Sequence, residues 1–347
     1  MKTKHFFRLG LALILTLTSL NINAQENKEA IKKAGQFTFI YPLGTNGTSS
    51  KDISNIFSLN AIIGINGGLH TGAELGGVIN YNNGDVTGLQ MAGVSNINRK
   101  ESNGVFLSGV ANISGKSLSG AAISGVLNMA GGNSNGVHAS TINIAAKEFS
   151  GIQLGVINTA GKLKGLQLGV INVVKDGDEG VPIGLINIVK NGYHEFEVVA
   201  SDLIYANLSF KMGVEKFYTI FKTGFSTQEG NAAYSAGIGF GSLLPLSNNH
   251  KLSLDLSMNT ITDNFEWEEH WFEDVDILYK ADLNYRYALS EKLSLIAGPS
   301  FNLYYSEPKI DSNNPILNIP YTIKTTESNN GNYNMWIGLN AGFSFRL

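Results

Sequence analysis

Residues 151–158 read GIQLGVIN, residues 165–172 read GLQLGVIN, and residues 180–187 read GVPIGLIN. Each stretch opens on a glycine, carries an apolar run and closes on an asparagine, so the chain contains an internal repeat. The glycines that open the units are Gly72, Gly88, Gly104, Gly120, Gly136, Gly151, Gly165 and Gly180, and the asparagines that close them are Asn80, Asn96, Asn112, Asn128, Asn143, Asn158, Asn172 and Asn187. Consecutive glycines are 16, 16, 16, 16, 15, 14 and 15 residues apart.

The repeat region extends over residues 57–192, because a degenerate unit, FSLNAIIGIN, begins at Phe57. This makes about nine units of 14–16 residues, in which charged residues fall between the apolar stretches and only Glu74 lies inside one. Charged residues between the stretches include Arg99, Lys100, Glu101, Lys116, Lys147, Glu148, Lys162, Lys164, Lys175, Asp176, Asp178, Glu179 and Lys190. Each unit is therefore predicted to be a strand of roughly eight residues followed by a polar turn.

Two architectures could use such a unit. In a β-solenoid each unit is one coil, equivalent residues stack in register, and the asparagines form a ladder of side-chain amides. In an antiparallel barrel each unit is one strand, and equivalent residues lie at opposite ends of neighbouring strands. Because every unit keeps its glycine and its asparagine in the same phase, the all-β sequence favours a solenoid for this Gly/Asn-rich region, with barrel strands as the alternative.

After Gly192 the repeat gives way to long alternation. Every second residue from Tyr333 to Leu347 is apolar, and the residues between them are polar or small apart from Trp336. This period of two is typical of a β-strand with one polar face. Comparable alternation marks residues 252–258, 275–287 and 293–305, and weaker alternation marks residues 203–212, 216–225 and 232–243.

These segments amount to seven strands, and Phe37, Phe39 and Tyr41 offer an eighth within an N-terminal strand and loop at residues 36–56. The longest alternating segments exceed the roughly 9–11 residues that a membrane-crossing strand needs, whereas globular strands average about 5–6. Residues 193–347 are therefore predicted to form an antiparallel β-barrel of the outer-membrane type. A secreted β-sandwich with one polar face is the alternative.

The polar face of the predicted strands carries charges that must be accounted for. Lys280, Asp282 and Arg286 are expected to pair inside a small barrel, where an unpaired charge would be costly.

The N-terminus has the pattern of a signal peptide. Lys2, Lys4 and Arg8 precede an apolar run from Leu9 to Leu20, which is too short for a spanning helix. Ala24 follows as a small residue at a plausible cleavage position, so residues 1–24 are predicted to be removed on export.

Composition excludes several classes of site. The 347 residues include no cysteine, which excludes disulfides, zinc–thiolate sites and thiol nucleophiles. The net charge of −3 gives no electrostatic footprint for nucleic acid. Glycine accounts for 40 residues and proline for only 7, which favours close-packed β structure over disorder.

Several stretches together resemble a family of repeat-bearing surface proteins of Bacteroidota, with similar repeats in spirochaetes. They are the GLQLGVIN-type units, FTFIYPLGTNG, FSLNAIIGINGG, and NGYHEFEV with the following LIYANLSFKMGVEKFYTIF. The later segment LSLIAGPSFNLYYSE is similar to strands of small outer-membrane barrel proteins. The resemblance implies an outer-membrane or cell-surface location and implies no activity, so it assigns no functional residue.

A search for catalytic chemistry gives no site. The six histidines include no pair at i, i+4, and no GxSxG motif is present. The sequence therefore predicts neither an enzyme nor a cofactor. One acidic loop could hold Ca²⁺ through its carboxylates, although a solvated acidic loop explains it as well. Its residues are Glu266, Glu268, Glu269, Glu273, Asp274 and Asp276.

These observations lead to one expectation and two alternatives. We expect a non-catalytic protein of the outer membrane or cell surface with a structural or interaction role, whose partners are outer-membrane lipid and an unidentified surface partner. An outer-membrane pore or transporter is one alternative, and a secreted β-sandwich binding protein is the other.

Overall fold

The computed structural model describes residues 31–176, 179–228, 230–263, 276–306, 316–319, 321–328 and 331–347. These residues fold almost entirely as β-strands, with one 3-10 helix at Gly47–Asp52. Within these ranges no helix has the length and apolar character needed to cross a membrane. The strands form two units in succession along the chain.

The first unit is a parallel β-solenoid, as the phase of glycine and asparagine predicts. Residues of one coil pair with the equivalent residues of the next, for example Gly120 with Gly136 and Asn128 with Asn143. Its strands are β1 Ile31–Ile40, β2 Leu43–Gly44, β3 Ile53–Asn66, β4 Gly68–Gly76, β5 Ile79–Asn82, β6 Val86–Ala92, β7 Ser95–Asn98, β8 Ser102–Ser108, β9 Ala111–Ser114, β10 Leu118–Ser124, β11 Leu127–Ala130, β12 Ser134–Ala139, β13 Ile142–Leu154, β14 Ile157–Leu163, β15 Leu166–Leu168, β16 Ile171–Asp176, β17 Val181–Ile183 and β18 Ile186–Val189.

The opening glycine of each unit is required by the stacking. Gly104 has φ +139°, a conformation that favours glycine. A Cβ at this position would lie 2.0 Å from the carbonyl oxygen of Gly88 in the preceding coil. Any larger residue would therefore push neighbouring coils apart.

The asparagines form a continuous ladder through the solenoid interior. Each side-chain Nδ2 donates to Oδ1 of the asparagine in the next coil at 2.8–3.1 Å, from Asn60 to Asn187. The second hydrogen is also used in most coils, as where Asn112 Nδ2 donates to the carbonyl oxygen of Ile123 at 3.0 Å. The ladder satisfies buried polar groups that would otherwise cost free energy.

Glu74, the charged residue within an apolar stretch, lies beside this ladder. Its Oε1 accepts hydrogen bonds from Asn60 (2.9 Å) and Asn66 (2.5 Å), and its Oε2 accepts from Asn82 (2.7 Å) and Gln90 (2.9 Å). Burial raises the pKa of Glu74 above its usual value, although the four hydrogen bonds act in the opposite direction.

The second unit is a closed antiparallel barrel of eight strands. Consecutive strands pair with one another, and β19 pairs with β27 to close the wall. The ninth strand of the sheet, β26, pairs with the first residues of β27 only. The strands are β19 Tyr193–Ser201, β20 Ala206–Val214, β21 Phe217–Gln228, β22 Asn231–Ser247, β23 His250–Thr262, β24 Asp276–Ala288, β25 Leu293–Ser306, β26 Lys324–Ser328 and β27 Gly331–Arg346.

The eighth strand is not the one that the sequence suggested. Phe37 and Phe39 lie in β1, which pairs in parallel with β3 of the solenoid, and Tyr41 lies in the turn that follows. The barrel takes β19 instead. This strand points Glu195 and Glu197 inward and Phe196 outward, but Val198, Val199 and Ala200 form a continuous apolar run, which breaks the alternation by which the other strands were found.

Candidate functional site in the barrel

The lumen at one end of the barrel holds a buried ionic cluster. Lys211 is 1% exposed, and its Nζ lies 2.7 Å from both Glu197 Oε2 and Asp255 Oδ2. Arg286 donates to Glu195 and also to Glu197, the latter at 2.9 Å. Each buried charge in this cluster therefore has an opposite charge in contact, which is the condition for tolerating it in a low-dielectric interior.

Two tyrosines complete the cluster. The Tyr218 hydroxyl donates to Asp255 Oδ1 at 2.5 Å, and the Tyr193 hydroxyl donates to Glu195 Oε1 at 2.6 Å. Both rings are fully buried and their centroids lie 4.8 Å apart. The tyrosines thus fill the lumen and use the remaining acceptor capacity of the carboxylates.

A second polar group occupies the middle of the lumen. Asp282 lies 3.5 Å from Lys280 Nζ and 3.6 Å from Lys222 Nζ. Asn340 Nδ2 donates to Asp282 at 2.9 Å, and Lys280 donates to Asn340 Oδ1 at 3.2 Å. The structure thus brings together Lys280 and Asp282, which the sequence predicted to pair inside a barrel, and gives Arg286 its partners in the ionic cluster.

The other end of the lumen is filled by a hydrophobic cluster, here called the apolar plug. Leu317, which lies between β25 and β26 in the chain, is buried in it against residues from five strands and the β19–β20 connection. The plug comprises Leu203, Ile204, Ala233, Ile261, Leu278, Tyr304, Leu317 and Trp336. Side chains therefore occupy the described lumen at both ends and in the middle, as expected for about eight strands.

The predicted calcium loop lies mostly outside the described residues. This holds for Glu266, Glu268, Glu269, Glu273 and Asp274. Asp276, the remaining candidate, is the first residue of β24 and is buried. Its carboxylate accepts hydrogen bonds from the Tyr304 hydroxyl and, at 2.9 Å, from the Ile316 amide.

The outer wall of the barrel is apolar. Exposed large hydrophobic residues project from all eight strands of the closed wall, including Leu256, Leu283, Phe301 and Leu339. The polarity of this unit is therefore inverted relative to a water-soluble domain, with ion pairs inside and hydrocarbon side chains outside.

Two aromatic pairs lie on this wall, one toward each end of β21. Phe217 contacts Phe240, with ring centroids 5.4 Å apart, and Phe225 contacts Tyr234, with ring centroids 5.6 Å apart. Phe217 and Phe225 are eight residues apart on β21, or about 26 Å along a strand at ~3.3 Å per residue. The two pairs thus lie on either side of the exposed Phe221.

The two ends of the barrel differ in their connections. Two residues join β20 to β21, two join β22 to β23 and four join β24 to β25, and these turns define the short-turn end. The strand ends that flank the two longest connections, at Thr262, Asp276, Ser306 and Gly331, lie at the opposite, long-loop end. At the short-turn end Glu215 contacts Lys251 Nζ at 2.7 Å and an Arg346 nitrogen at 2.8 Å. Partial burial disfavours ionisation of Glu215, but these two cations outweigh it and lower the pKa.

Sequence reasoning missed the carboxylates of β19. In the sequence, Glu195 and Glu197 belong to the stretch NGYHEFEV, which contributes only to the family resemblance. The signal that could have found them is the two-residue spacing of Glu195 and Glu197, which puts both on one face of a strand. The structure shows that face, which also carries Tyr193 and Val199, pointing inward.

Comparison with known proteins gives no assignment. No protein-family model matches the chain, and no curated protein matches it.

Proposed function

We propose that this chain is an outer-membrane protein whose barrel is a non-catalytic membrane anchor for the solenoid. The observation that carries the proposal is the inverted polarity of the barrel, with paired charges such as Lys211 and Asp255 inside and an apolar outer wall. Outer-membrane barrels share this arrangement. In water the outer wall would be an exposed apolar surface far larger than soluble monomers carry.

The filled lumen supports an anchor over a pore. The ionic cluster around Lys211 and the apolar plug around Trp336 occupy opposite ends of the lumen. The charged side chains bind one another, which accounts for them through barrel stability and not through chemistry on a substrate.

The connections support one orientation. Outer-membrane barrels have short periplasmic turns and longer extracellular loops. The solenoid joins the barrel at Tyr193, which is at the short-turn end. The proposed orientation therefore puts the solenoid on the periplasmic side and turns the strand ends at Thr262, Asp276, Ser306 and Gly331 toward the outside.

Fractionation of the native host tests the anchor. We expect the protein to remain in the outer-membrane fraction after extraction with urea, which strips peripheral proteins, and to migrate differently on a gel when the sample is not boiled. Release by urea or recovery from the medium would overturn the proposal and favour a secreted binding protein. Steady conductance of the purified protein in a planar bilayer would favour a pore.

Labelling with a membrane-impermeant maleimide tests the orientation. The chain has no cysteine, so a single introduced thiol is the only target. Lys324→Cys at the long-loop end should label in intact cells, whereas Lys116→Cys on a solenoid turn should label only after the outer membrane is permeabilised. The reverse pattern would overturn the orientation and leave the anchor intact.

A further inference from the structure

The solenoid, like the barrel, is apolar on its outside. Strands β6, β8, β10 and β12 point Gln90, Phe106, Ala122 and His138 inward, and the residues on either side of these point outward. Those outward residues are Leu89 and Met91, Val105 and Leu107, Ala121 and Ile123, and Val137 and Ala139. The charged residues lie in the turns on the opposite side of each coil.

The next face of each coil, formed by β7, β9 and β11, is also apolar, with Ile97, Ile113 and Leu127 pointing outward. A row of branched side chains marks the corner between these two apolar faces, and we call it the valine ridge. Its members are Val94, Val110, Val126, Thr141, Val156, Val170 and Leu185. The six hydrophobic members are 38–48% exposed. Seven coils at ~4.8 Å spacing make the ridge about 29 Å long. Thr141, the one polar member, donates its hydroxyl to the carbonyl oxygen of Gly125 at 2.7 Å, so it presents its methyl group.

The backbone along the ridge is satisfied within the protein. The amide of Val110 donates to the carbonyl oxygen of Val94 at 2.8 Å, and the amide of Val126 donates to that of Val110 at 3.0 Å. The same pattern continues from Val156 to Val170 at 3.0 Å. Because unpaired backbone groups are what lipid excludes, this surface meets the condition for contact with hydrocarbon.

The solenoid also meets the barrel on the surface that the proposed function assigns to lipid. Tyr218 points into the lumen, and successive strand side chains point to opposite faces, so Thr219 points outward with the exposed Phe221. Thr219 is nevertheless fully buried, because the last coil of the solenoid covers it. The Thr219 hydroxyl donates to the carbonyl oxygen of Gly184 at 2.8 Å and accepts from Asn187 Nδ2 at 2.9 Å. The last coil therefore stacks on the outer wall of the barrel, and the Asn ladder ends on that wall.

We propose that the solenoid lies against the membrane beside the barrel, with its valine ridge in the acyl chains of the periplasmic leaflet and its charged turns in water. This inference rests on the proposed function of the barrel. Continuity with the apolar wall, segregation of charge to the opposite side, and the satisfied backbone of the ridge all favour lipid as the occupant. A surface of this kind binds in proportion to the apolar area that it buries.

Single spin labels on the full chain, reconstituted in phosphatidylethanolamine–phosphatidylglycerol vesicles, test this. Labels are placed at Val126→Cys and Val156→Cys on the ridge, at Leu256→Cys on the barrel wall and at Lys116→Cys on a charged turn. Oxygen concentrates in hydrocarbon, and a polar nickel chelate stays in water. We expect the two ridge labels to match the Leu256 label, with the oxygen-to-nickel accessibility ratio at least about tenfold above that of the Lys116 label, which is a difference of ~1.4 kcal/mol in partitioning.

The outcomes separate the two proposals. If the Leu256 label is in lipid and the ridge labels behave like the Lys116 label, the ridge faces water and this inference is wrong while the anchor stands. If both reagents are excluded from the ridge labels, protein covers the ridge and a second copy of the chain or another partner replaces lipid. If the Leu256 label itself is reached by nickel, the anchor proposal fails and this inference fails with it.

Discussion

The solenoid and the barrel both have apolar exteriors and bury polar side chains beside apolar clusters, but they pair those buried polar groups differently. The solenoid repeats one neutral amide contact along its axis, as between Asn112 and Asn128 at 3.0 Å. The barrel uses unlike charges across its lumen, as between Lys211 and Asp255 at 2.7 Å. In the solenoid, register is fixed because the same residue pairs with its own copy in the next coil. In the barrel, register is fixed because residues of opposite charge must meet. Only in the barrel does the loss of one partner leave a buried charge unpaired.

The largest expected effect comes from breaking the complementarity. Lys211→Met removes the cation that Glu197 and Asp255 share, and it should lower the free energy of barrel unfolding by about 3–5 kcal/mol. The measurement is the fraction of heat-modifiable protein against urea concentration in detergent.

The matched control is Lys251→Met. Lys251 also binds a carboxylate at 2.7 Å, but the pair with Glu215 is partly exposed at the short-turn end. Such pairs contribute about 1 kcal/mol or less. Equal losses in the two variants would mean that burial of the Lys211 cluster has no special weight.

The next effect is a pH dependence confined to the solenoid. Burial lowers the pKa of His138 from 6.5 to about 4, against a hydrogen bond to the carbonyl oxygen of Leu118. The unfolded chain therefore binds more protons between these values, and stability falls as pH falls from about 6.5 to about 4. The loss from this group is roughly 3 kcal/mol.

His138→Gln should remove this part of the acid sensitivity, because a glutamine side chain does not titrate. The solenoid should accept the substitution, because Gln90, Gln153 and Gln167 occupy the equivalent position in other coils. Thermal unfolding followed by circular dichroism at pH 7 and pH 4 measures it. The exposed His70→Gln serves as the control and should leave the pH dependence unchanged. An unchanged profile for His138→Gln would show that the imidazole is protonated in the folded solenoid.

Interrupting the ladder should cost somewhat less. Asn128→Leu removes donors to Ala122 and Ala139 carbonyl oxygens and to Asn143 Oδ1, and it leaves these acceptors buried. We expect a loss of about 2–3 kcal/mol in the free energy of unfolding. Asn103→Leu, at an exposed position on β8, should change it by less than about 0.5 kcal/mol. If Asn128→Leu changed the free energy of unfolding as little as Asn103→Leu, the ladder would not contribute to the stability of the solenoid.

The smallest effect should come from replacing the buried carboxyl group of Glu74 in the solenoid interior by an amide. Glu74→Gln installs the residue found at the same position in other coils, and it relieves the desolvation that raises the pKa of Glu74. It also turns one of two acceptors into a donor, so we expect a change within about 1 kcal/mol at pH 7. A loss as large as that of Lys211→Met would erase the distinction between the two interiors.

The fold was predictable where one periodicity acted alone. The phase of Gly104 and Asn112 predicted parallel stacking, and the alternation from Tyr333 to Leu347 predicted an antiparallel barrel strand. Strand β19 was missed because the continuous apolar run of residues 198–200 interrupts its alternation, and Phe37 was assigned to the barrel because an alternating strand does not reveal which neighbour it pairs with.

The candidate site was less accessible from sequence. The pairing of Lys280 with Asp282 followed from their place on one polar face, two residues apart. The contact of Lys211 with Asp255 joins strands 44 residues apart in the chain, so only closure of the barrel brings them together. The burial of Thr219 by Gly184 and Asn187 likewise depends on how two separately patterned units meet.

The end of the Asn ladder on Thr219 bears on how the molecule avoids polymerising. A stack of parallel coils presents an open strand edge at each end, and an identical coil from another molecule could add there. At the C-terminal end the barrel wall covers that edge. At the other described end, β1 carries Lys32 and Lys33 along its outer side, and charge on an edge strand disfavours such addition. The barrel therefore also blocks the addition of further coils at the C-terminal edge of the solenoid. A solenoid made without the barrel would expose that edge to pairing with another molecule.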